Sequence, residues 1–195
     1  MLFRSAITSL LVDVRANGGG DDNNDMLAFS YLARRPFHEH RAARVAFGRV
    51  PYRRYLTVVP GVMTARTITS NLVADRGDGR RGSTPLPDVG KVATTHVTVE
   101  ERLPGYTLLS CRLETGRTHQ IRIHLSEAGH PVCGDKVYTR RRDGTTFEDK
   151  SGAPRLALHA TELGFTHPAS GAALHWSMPL PADLAKFIEK LRGGK

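Results

Sequence analysis

Residues 108–138 read LLSCRLETGRTHQIRIHLSEAGHPVCGDKVY, a stretch in which a strand pattern is followed at once by a helix pattern. Its first part alternates apolar residues on one face, as a half-buried β-strand does: Leu109, Cys111 and Leu113. After Gly116 the apolar residues recur at helical spacing instead: Ile121, Leu125 and Ala128. Gly129 and Pro131 then predict the end of that helix. We therefore expect a strand that ends at a glycine turn and passes directly into a helix.

The start of the predicted helix carries a high density of hydrogen-bond donors. Two arginines, two histidines and a glutamine fall within the eight positions 117–124. We expect Arg117, Thr118 and His119 in the first helical turn, where free backbone N–H groups and the helix dipole attract anions. This end of the helix is therefore predicted to face phosphate.

Arg122 occupies a different position on the same helix. It follows Ile121 by about 100° of rotation, so it lies at the boundary of the buried face. From there its side chain can turn inward to meet a carboxylate. The alternative is a solvated helix face, on which the arginines are free or pair with Glu114 or Glu127.

The charge balance favours a polyanionic partner. The 195 residues include 28 Lys and Arg against 19 Asp and Glu, which gives a formal net charge of +9 and a pI of about 10.1. Nucleic acid is the leading partner, and an anionic membrane surface is the second. Of the cations 22 are Arg, which suits bidentate phosphate contacts, although a GC-rich genome produces the same bias.

The remaining segments predict one domain that mixes helices and strands. With 39% hydrophobic residues, the chain is long enough for a single domain, 1–195, with a sizeable core. Residues 74–90 are rich in Gly, Pro and charge and predict a flexible loop or insertion. Periodicity predicts helices over 5–16, 36–48, 117–129 and 182–191, and strands over 26–35, 52–61, 92–103, 106–116, 156–168 and 172–180.

Several classes of protein are disfavoured. Cys111 and Cys133 are too few for a disulfide framework, and neither they nor the histidines have metal-ligand spacing, so we expect no metal. No apolar run is long enough to span a bilayer, and residues 1–16 lack the apolar centre of a signal peptide. We therefore expect a monomeric, cytoplasmic protein with no membrane association, and an organellar transit peptide at residues 1–16 is the alternative.

Residues 108–138 resemble the C-terminal signature of the RluA-like family of RNA pseudouridine synthases. That signature runs as a strand, then T-G-R-T-H-Q-I-R-x-H, then G-H-P-x-x-G-D-x-x-Y, and nearly every position is filled here. The segment YRRYLTVVPG at 52–61 is similar to the family's strand that carries an active-site tyrosine. The segment LALHATELGFTHPASGAALHWSMPLPADL at 156–184 resembles the family's closing segment. The resemblance covers about residues 5–190.

The resemblance implies an α+β pseudouridine synthase fold, with a mixed, mainly antiparallel central sheet and flanking helices. It implies isomerisation of a uridine in ribosomal or transfer RNA without a cofactor: an aspartate takes part in breaking the N-glycosidic bond, and the uracil rejoins through C5. A flipped base needs a stacking aromatic, and an ionised carboxylate in a partly dry pocket needs an adjacent cation. The resemblance assigns these two roles to Tyr55 and Arg122.

Two groups of residues are predicted to contact the RNA. The resemblance places Arg117, Thr118 and His119 against RNA phosphates, with Gln120 bracing the turn. The second group is the basic segment 34–54, which holds seven Arg and one Glu, a composition that favours contact with an anion over a solvated face. From that segment we expect contacts by Arg34, Arg35 and Arg53.

The chain departs from the family at the catalytic motif, H-R-L-D-x-D-T-S-G. An ungapped count back from the strand ending at Arg34 places Asn23 where the nucleophilic aspartate should stand. Because an amide cannot act as the nucleophile, we expect the chain to isomerise uridine poorly or not at all, unless Asp25, or else Asp22, takes that place. Without a nucleophile, Arg122 should turn towards Asp22, Asp25 or solvent. The family's preceding strand is missing as well, so we expect the chain to begin inside the domain. The second hypothesis is a catalytically inactive relative that binds structured RNA.

Overall fold

The computed structural model describes residues 52–139, 145–166 and 171–194. The positions of the catalytic motif and two of the arginines predicted to contact RNA lie outside this part of the chain: Asp22, Asn23, Asp25, Arg34 and Arg35. The elements predicted before residue 51 lie outside it too. The roles expected of these residues stay predictions.

The described residues form one antiparallel sheet and two helices. The strands are β1 (Tyr52–Pro60), β2 (Arg66–Val73), β3 (Gly82–Thr84), β4 (Lys91–Leu103), β5 (Tyr106–Leu113), β6 (Leu158–Thr166) and β7 (Ala173–Ser177). The helices are α1 (Gln120–Glu127) and α2 (Ala182–Arg192). The strands lie in the order β3-β2-β4-β5-β1-β6-β7, and each of these neighbouring pairs is antiparallel.

Strand β5 lies at the centre of the sheet and is covered on both faces. Leu108 lines an apolar cavity together with Leu184 of α2. Leu113 is five residues further along, so its side chain points to the opposite face. There it pairs in register with Thr95, whose hydroxyl lies 2.9 Å from Nδ1 of His124 in α1. The two helices therefore pack on opposite faces of the sheet.

The helices contribute unequally to the core. Helix α2 buries the four residues that its periodicity predicted: Leu184, Phe187, Ile188 and Leu191. Helix α1 buries Ile121 and Leu125 in the main core, and Ile123 packs in a smaller cluster with Leu72, Ala93 and Tyr138. Because α1 is buried on two sides, little of it remains as a solvated face.

Most of the elements predicted for the described residues are confirmed. The strand at 52–60, the hairpin across Pro104 and Gly105, the closing strand pair and the C-terminal helix form where expected. Strand β2 was not predicted, because its apolar residues are few and its polar residues are mostly Thr, Ser and Asn. Residues 74–90, expected to be wholly a loop or insertion, form turns and bends except at Gly82–Thr84, which pairs with the end of β2.

The segment that follows α1 docks on β1. The backbone N–H of Cys133 donates to the Val58 carbonyl at 2.9 Å, and the Cys133 carbonyl accepts from the N–H of Ala157 at 2.8 Å. Gly134 follows with a φ of +77°, and a Cβ there would lie 2.1 Å from the carbonyl oxygen of Arg155. Only glycine fits this position, and the docked segment carries the next residue, Asp135, towards α1.

Candidate active site

The turn between β5 and α1 meets the start of β1. A Cβ at Gly116 would lie 2.5 Å from Nη1 of Arg53, so the guanidinium of Arg53 rests against bare glycine backbone. Arg117 is exposed, and its Nε donates to the Val92 carbonyl at 3.0 Å. The structure thus brings two of the arginines predicted to contact RNA to one turn.

Gln120 holds that turn together from inside. Its side-chain oxygen accepts from the Thr115 hydroxyl at 2.8 Å and from the Arg117 N–H at 3.0 Å. Its Nε2 donates to the carbonyl of Thr94 and the hydroxyl of Thr95, both at 2.9 Å. The predicted bracing role is confirmed. Because the residue is only 2% exposed, its amide braces the turn rather than reaching RNA directly.

The prediction that Arg117, Thr118 and His119 form the first helical turn is wrong. Helix α1 begins at Gln120, and His119 precedes it in the left-handed conformation, with φ 55° and ψ 18°. The Arg117 N–H, expected to be free for an anion, is bound by the Gln120 side chain. The three residues therefore form a turn before the helix, and it is the side chains, not the helix end, that can meet phosphate.

Arg122 turns inward, as its position at the edge of the buried face predicted. Its Nε donates to Oδ2 of Asp135 and its Nη2 to Oδ1, each at 2.8 Å, in a bidentate pair. The Arg122 side chain is 13% exposed, and that of Asp135 is fully buried. The guanidinium therefore pairs with Asp135, a partner that was not expected, rather than turning to solvent. Asp22 and Asp25, the other expected partners, lie outside the described residues.

Asp135 is held by the backbone as well as by Arg122. Its Oδ1 also accepts from the N–H groups of Val137 at 2.8 Å and Tyr138 at 3.0 Å. Burial by itself raises the pKa of Asp135, but these donors outweigh it, so the pKa lies below its usual value. Asp135 is therefore ionised at neutral pH, and donors engage both of its oxygens.

Tyr138 completes this group, which we call the Arg122 cluster: His119, Arg122, Asp135 and Tyr138. The guanidinium carbon of Arg122 lies 4.9 Å from the centre of the Tyr138 ring, in a cation–π contact. The Tyr138 hydroxyl lies 2.7 Å from Nδ1 of His119, and the two rings meet edge to face. Burial raises the pKa of Tyr138, so the phenol stays protonated at neutral pH.

Sequence reasoning missed Asp135 and Tyr138 as site residues. Both residues belong to the G-D-x-x-Y pattern, but nothing in the local sequence shows that the aspartate would pair with an arginine thirteen residues earlier, on α1. The usable signal was the glycine before the aspartate, since Gly134 allows the sharp turn that aims the carboxylate.

Tyr55 lies on β1, opposite Cys111 of β5 and Ala160 of β6. It is partly buried and packs against the main core. Since alternate residues of a strand share a face, Tyr55 and Arg53 point to the same side of the sheet. The predicted aromatic thus stands on the strand that also carries one of the predicted RNA-binding arginines.

Among the described residues, no group of three His, Cys, Asp or Glu side chains is arranged to hold a metal ion. Burial raises the pKa of Cys111 and Cys133 to about 12, so both free thiols are protonated and unsuited to metal binding. No helix in the described ranges is long and apolar enough to cross a membrane.

Comparison with known proteins decides the family. The family model described as RNA pseudouridylate synthase matches residues 39–127. Ribosomal large subunit pseudouridine synthase D of Nitrosomonas europaea is 43% identical over 155 residues, which cover 77% of this chain and 44% of that protein. An uncharacterised RNA pseudouridine synthase of Bacillus subtilis is 41% identical over 140 residues, 72% of this chain and 44% of the relative. The chain belongs to the RluA-like family of RNA pseudouridine synthases.

Two solved structures have the same fold as this chain. Human RNA pseudouridylate synthase domain containing 1 superposes with a TM-score of 0.55 at 24% identity, covering 73% of this chain and 66% of its own. Human RNA pseudouridylate synthase domain containing 4 superposes with a TM-score of 0.56 at 20% identity, and the match covers 89% of this chain and 69% of that protein. The chain spans less than half the length of the curated family members it matches, 44% for each of the two bacterial relatives.

Proposed function

We propose that this chain isomerises uridine to pseudouridine in structured RNA. The observation that carries the proposal is the Arg122 cluster, in which a bidentate ion pair fixes a largely buried guanidinium at the predicted catalytic position. The N1–C1′ bond of the uridine breaks, the uracil turns and the C5–C1′ bond forms. The C5 proton then leaves to water, and N1 takes up a proton from water. Ribosomal RNA is the favoured substrate, because the Nitrosomonas relative carries that assignment in its name.

Each residue has a defined part in this reaction. Tyr55 stacks on the flipped base, and stacking of this kind offsets part of the cost of unstacking it from the RNA. Arg53 and Arg117 bind phosphates beside the flipped nucleotide, because the guanidinium of Arg53 lies against Gly116 and Arg117 follows in the same turn before α1. Within the described residues, Nη1 of Arg122 makes no hydrogen bond, so this edge is available to the catalytic carboxylate.

Asp135 is not that carboxylate. A nucleophile needs an accessible oxygen with a free lone pair, whereas the Asp135 side chain is fully buried and takes four hydrogen bonds. The proposed nucleophile is Asp25, with Asp22 as the neighbouring candidate. The second candidate function is RNA binding without catalysis, and it is favoured by Asn23 at the nucleophile's place.

The test is tritium release. The 195-residue chain is incubated with transcripts of large-subunit ribosomal RNA and of transfer RNA labelled with ³H at uridine C5, and tritium in water is counted. We expect release by the wild type and a loss of several powers of ten in Asp25→Asn, with Asp22→Asn as its control. Release that survives Asp25→Asn but not Asp22→Asn assigns the nucleophile to Asp22. No release from any transcript, with RNA binding intact, establishes the non-catalytic alternative.

Arg122 provides a second prediction on the same assay. Arg122→Ala and Arg122→Lys should both lower turnover by roughly 100-fold, because an ammonium cannot reproduce two fork-shaped hydrogen bonds. The matched control is Arg192→Lys. Arg192 is an exposed arginine at the end of α2 that pairs with Glu101 of β4, so this change should leave turnover unchanged. Full activity in Arg122→Lys would remove Arg122 from the reaction.

We also propose that the protein acts as a monomer in the cytoplasm. The support for an intracellular location is cysteine usage, since Cys111 and Cys133 are both free and buried, as is usual in a reducing compartment. Sedimentation equilibrium at micromolar concentration should give a mass of one chain, 21.4 kDa.

A further inference from the structure

We infer that Asp135 is the positioning residue for Arg122: it orients the guanidinium so that a single edge, Nη1, is left for the reacting groups. The inference rests on the proposed function, since it concerns the same reaction. It assigns a role in turnover to a carboxylate that itself touches neither RNA nor the reacting atoms.

The ion pair holds the guanidinium of Arg122 in one defined orientation. A planar guanidinium offers Nε and Nη2 as one edge, and both donate to Asp135 at 2.8 Å. The guanidinium carbon also lies over the ring of Tyr138, 4.9 Å from its centre, in a contact that favours this position. Rotation of the guanidinium would therefore break two hydrogen bonds and the ring contact together.

Asp135 fixes the position of the Arg122 side chain, and not the reverse. Asp135 is anchored by backbone N–H groups of Val137 and Tyr138, and its own N–H donates to the Val132 carbonyl at 3.0 Å. Gly134 just before it is fixed by close approach to Arg155. The carboxylate would keep its place without Arg122, whereas the long arginine side chain has no comparable anchor of its own.

The alternative role for Asp135 is purely structural, as a charge that compensates a partly buried arginine. The two roles predict different results. A structural ion pair affects the folded fraction and RNA affinity together, whereas a positioning residue affects turnover while bound RNA is unchanged. Small displacements of catalytic groups cost up to about 100-fold in rate, which is the scale to expect.

The test compares Asp135→Asn and Asp135→Glu with the wild type by tritium release under saturating and limiting RNA. Asparagine keeps the acceptor for the two backbone N–H groups but loses the charge and one arginine bond. Glutamate keeps the charge and moves it by one methylene. We expect kcat to fall by roughly 10- to 100-fold in both variants, with KM for RNA within about twofold of the wild type.

A bidentate pair remote from the cluster supplies the matched control. Asp183 accepts from Nε of Arg155 at 2.7 Å and from Nη2 at 3.2 Å, so Asp183→Asn breaks the same kind of pair. Its kcat should equal that of the wild type. The Nε–Hε resonance of Arg122 in a ¹⁵N spectrum should be protected from exchange in the wild type and in Asp183→Asn, and lose protection in Asp135→Asn.

The outcomes separate the inference from the function on which it rests. A wild type that releases no tritium overturns the proposed function, and the catalytic role of Asp135 with it. An active wild type whose kcat survives in either Asp135 variant overturns the inference alone. Rapid exchange of the Arg122 Nε–Hε proton in the wild type would also overturn the inference, and this measurement can be made on an inactive protein. If Asp135→Asn fails to fold, Asp135→Glu and the Arg122 resonance still decide.

Discussion

At the scale of single residues, the same side chain has opposite effects according to the partners that the fold gives it. Thr57 of β1 and Thr107 of β5 are both almost fully buried. Thr107 donates its hydroxyl to the Gly61 carbonyl at 2.7 Å and accepts from the Met63 N–H at 3.2 Å. The hydroxyl of Thr57, in contrast, has no hydrogen-bond partner in the described part of the chain.

Replacing each threonine by valine should therefore move stability in opposite directions. Thr57→Val removes an unsatisfied buried hydroxyl and should raise the free energy of unfolding by about 1 kcal/mol. Thr107→Val leaves a carbonyl and an N–H unpaired and should lower it by about 1–3 kcal/mol. Urea titrations measure both. A Thr57→Val protein less stable than the wild type would show that the hydroxyl has a partner in solution.

Two glycines near the site allow a similar comparison. A Cβ at Gly134 would meet backbone, the Arg155 carbonyl at 2.1 Å, and φ is positive, so Gly134→Ala should cost more than about 2 kcal/mol. A Cβ at Gly116 would meet only the end of the Arg53 side chain, which can move. Gly116→Ala should therefore fold normally and bind RNA more weakly. Unchanged RNA affinity in Gly116→Ala would exclude Arg53 from the RNA interface.

At the scale of elements, α1 is a short helix held by polar contacts inside the molecule. His124 lies between two hydroxyls, 2.9 Å from Thr95 and 3.0 Å from Ser70, and is 1% exposed. Burial lowers its pKa to about 4, so the imidazole is neutral in the folded protein. Together with Gln120, it ties an eight-residue helix to β4 and β2.

This histidine predicts a pH dependence of stability. The unfolded chain binds a proton at His124 below about pH 6.5, whereas the folded chain does so only near pH 4. Stability from this group is thus complete above pH 6.5 and falls as the pH drops towards 4, by up to about 3 kcal/mol. Urea unfolding from pH 4 to 7 measures the slope, and His124→Gln should remove that part of it. An identical slope in His124→Gln would contradict the assignment.

At the scale of the whole molecule, the fold gathers positively charged side chains near one turn. The turn between β5 and α1 brings Arg53 and Arg117 next to the start of the helix that carries Arg122, on a chain with a net charge of +9. A basic surface that tracks several phosphates releases counterions when it binds RNA. The affinity for RNA should then depend steeply on salt and little on sequence.

We expect RNA affinity to fall by roughly 10³ or more between 50 and 200 mM salt. The triple variant Arg34→Ala, Arg35→Ala, Arg53→Ala should bind all RNAs more weakly and show a shallower salt slope, because phosphate contacts carry no sequence information. Filter binding or fluorescence anisotropy measures both. The matched control, Lys186→Ala with Lys190→Ala on α2, removes positive charge from another element and should keep the slope. A flat salt titration of the wild type would reject the polyanion partner.

The elements whose signal is local could be predicted from the amino-acid sequence alone. Alternation in β5, the Pro-Gly turn of the hairpin and the four apolar residues of α2 depend on neighbours a few positions away, so they were predicted correctly. The resemblance likewise assigned roles to Arg122 and to the turn before it, because both lie in one continuous stretch of the sequence.

The contacts that those residues make depend on the tertiary fold and could not be predicted. The partner of Arg122 is Asp135 because the segment at 131–138 docks on β1 through Cys133 and Val58, a contact that no local pattern encodes. Helix α1 begins at Gln120 because that side chain captures the Arg117 N–H while its amide reaches β4. Hydrogen-bond partners are chosen by whatever donors and acceptors packing brings within about 3 Å, and that choice depends on the whole fold.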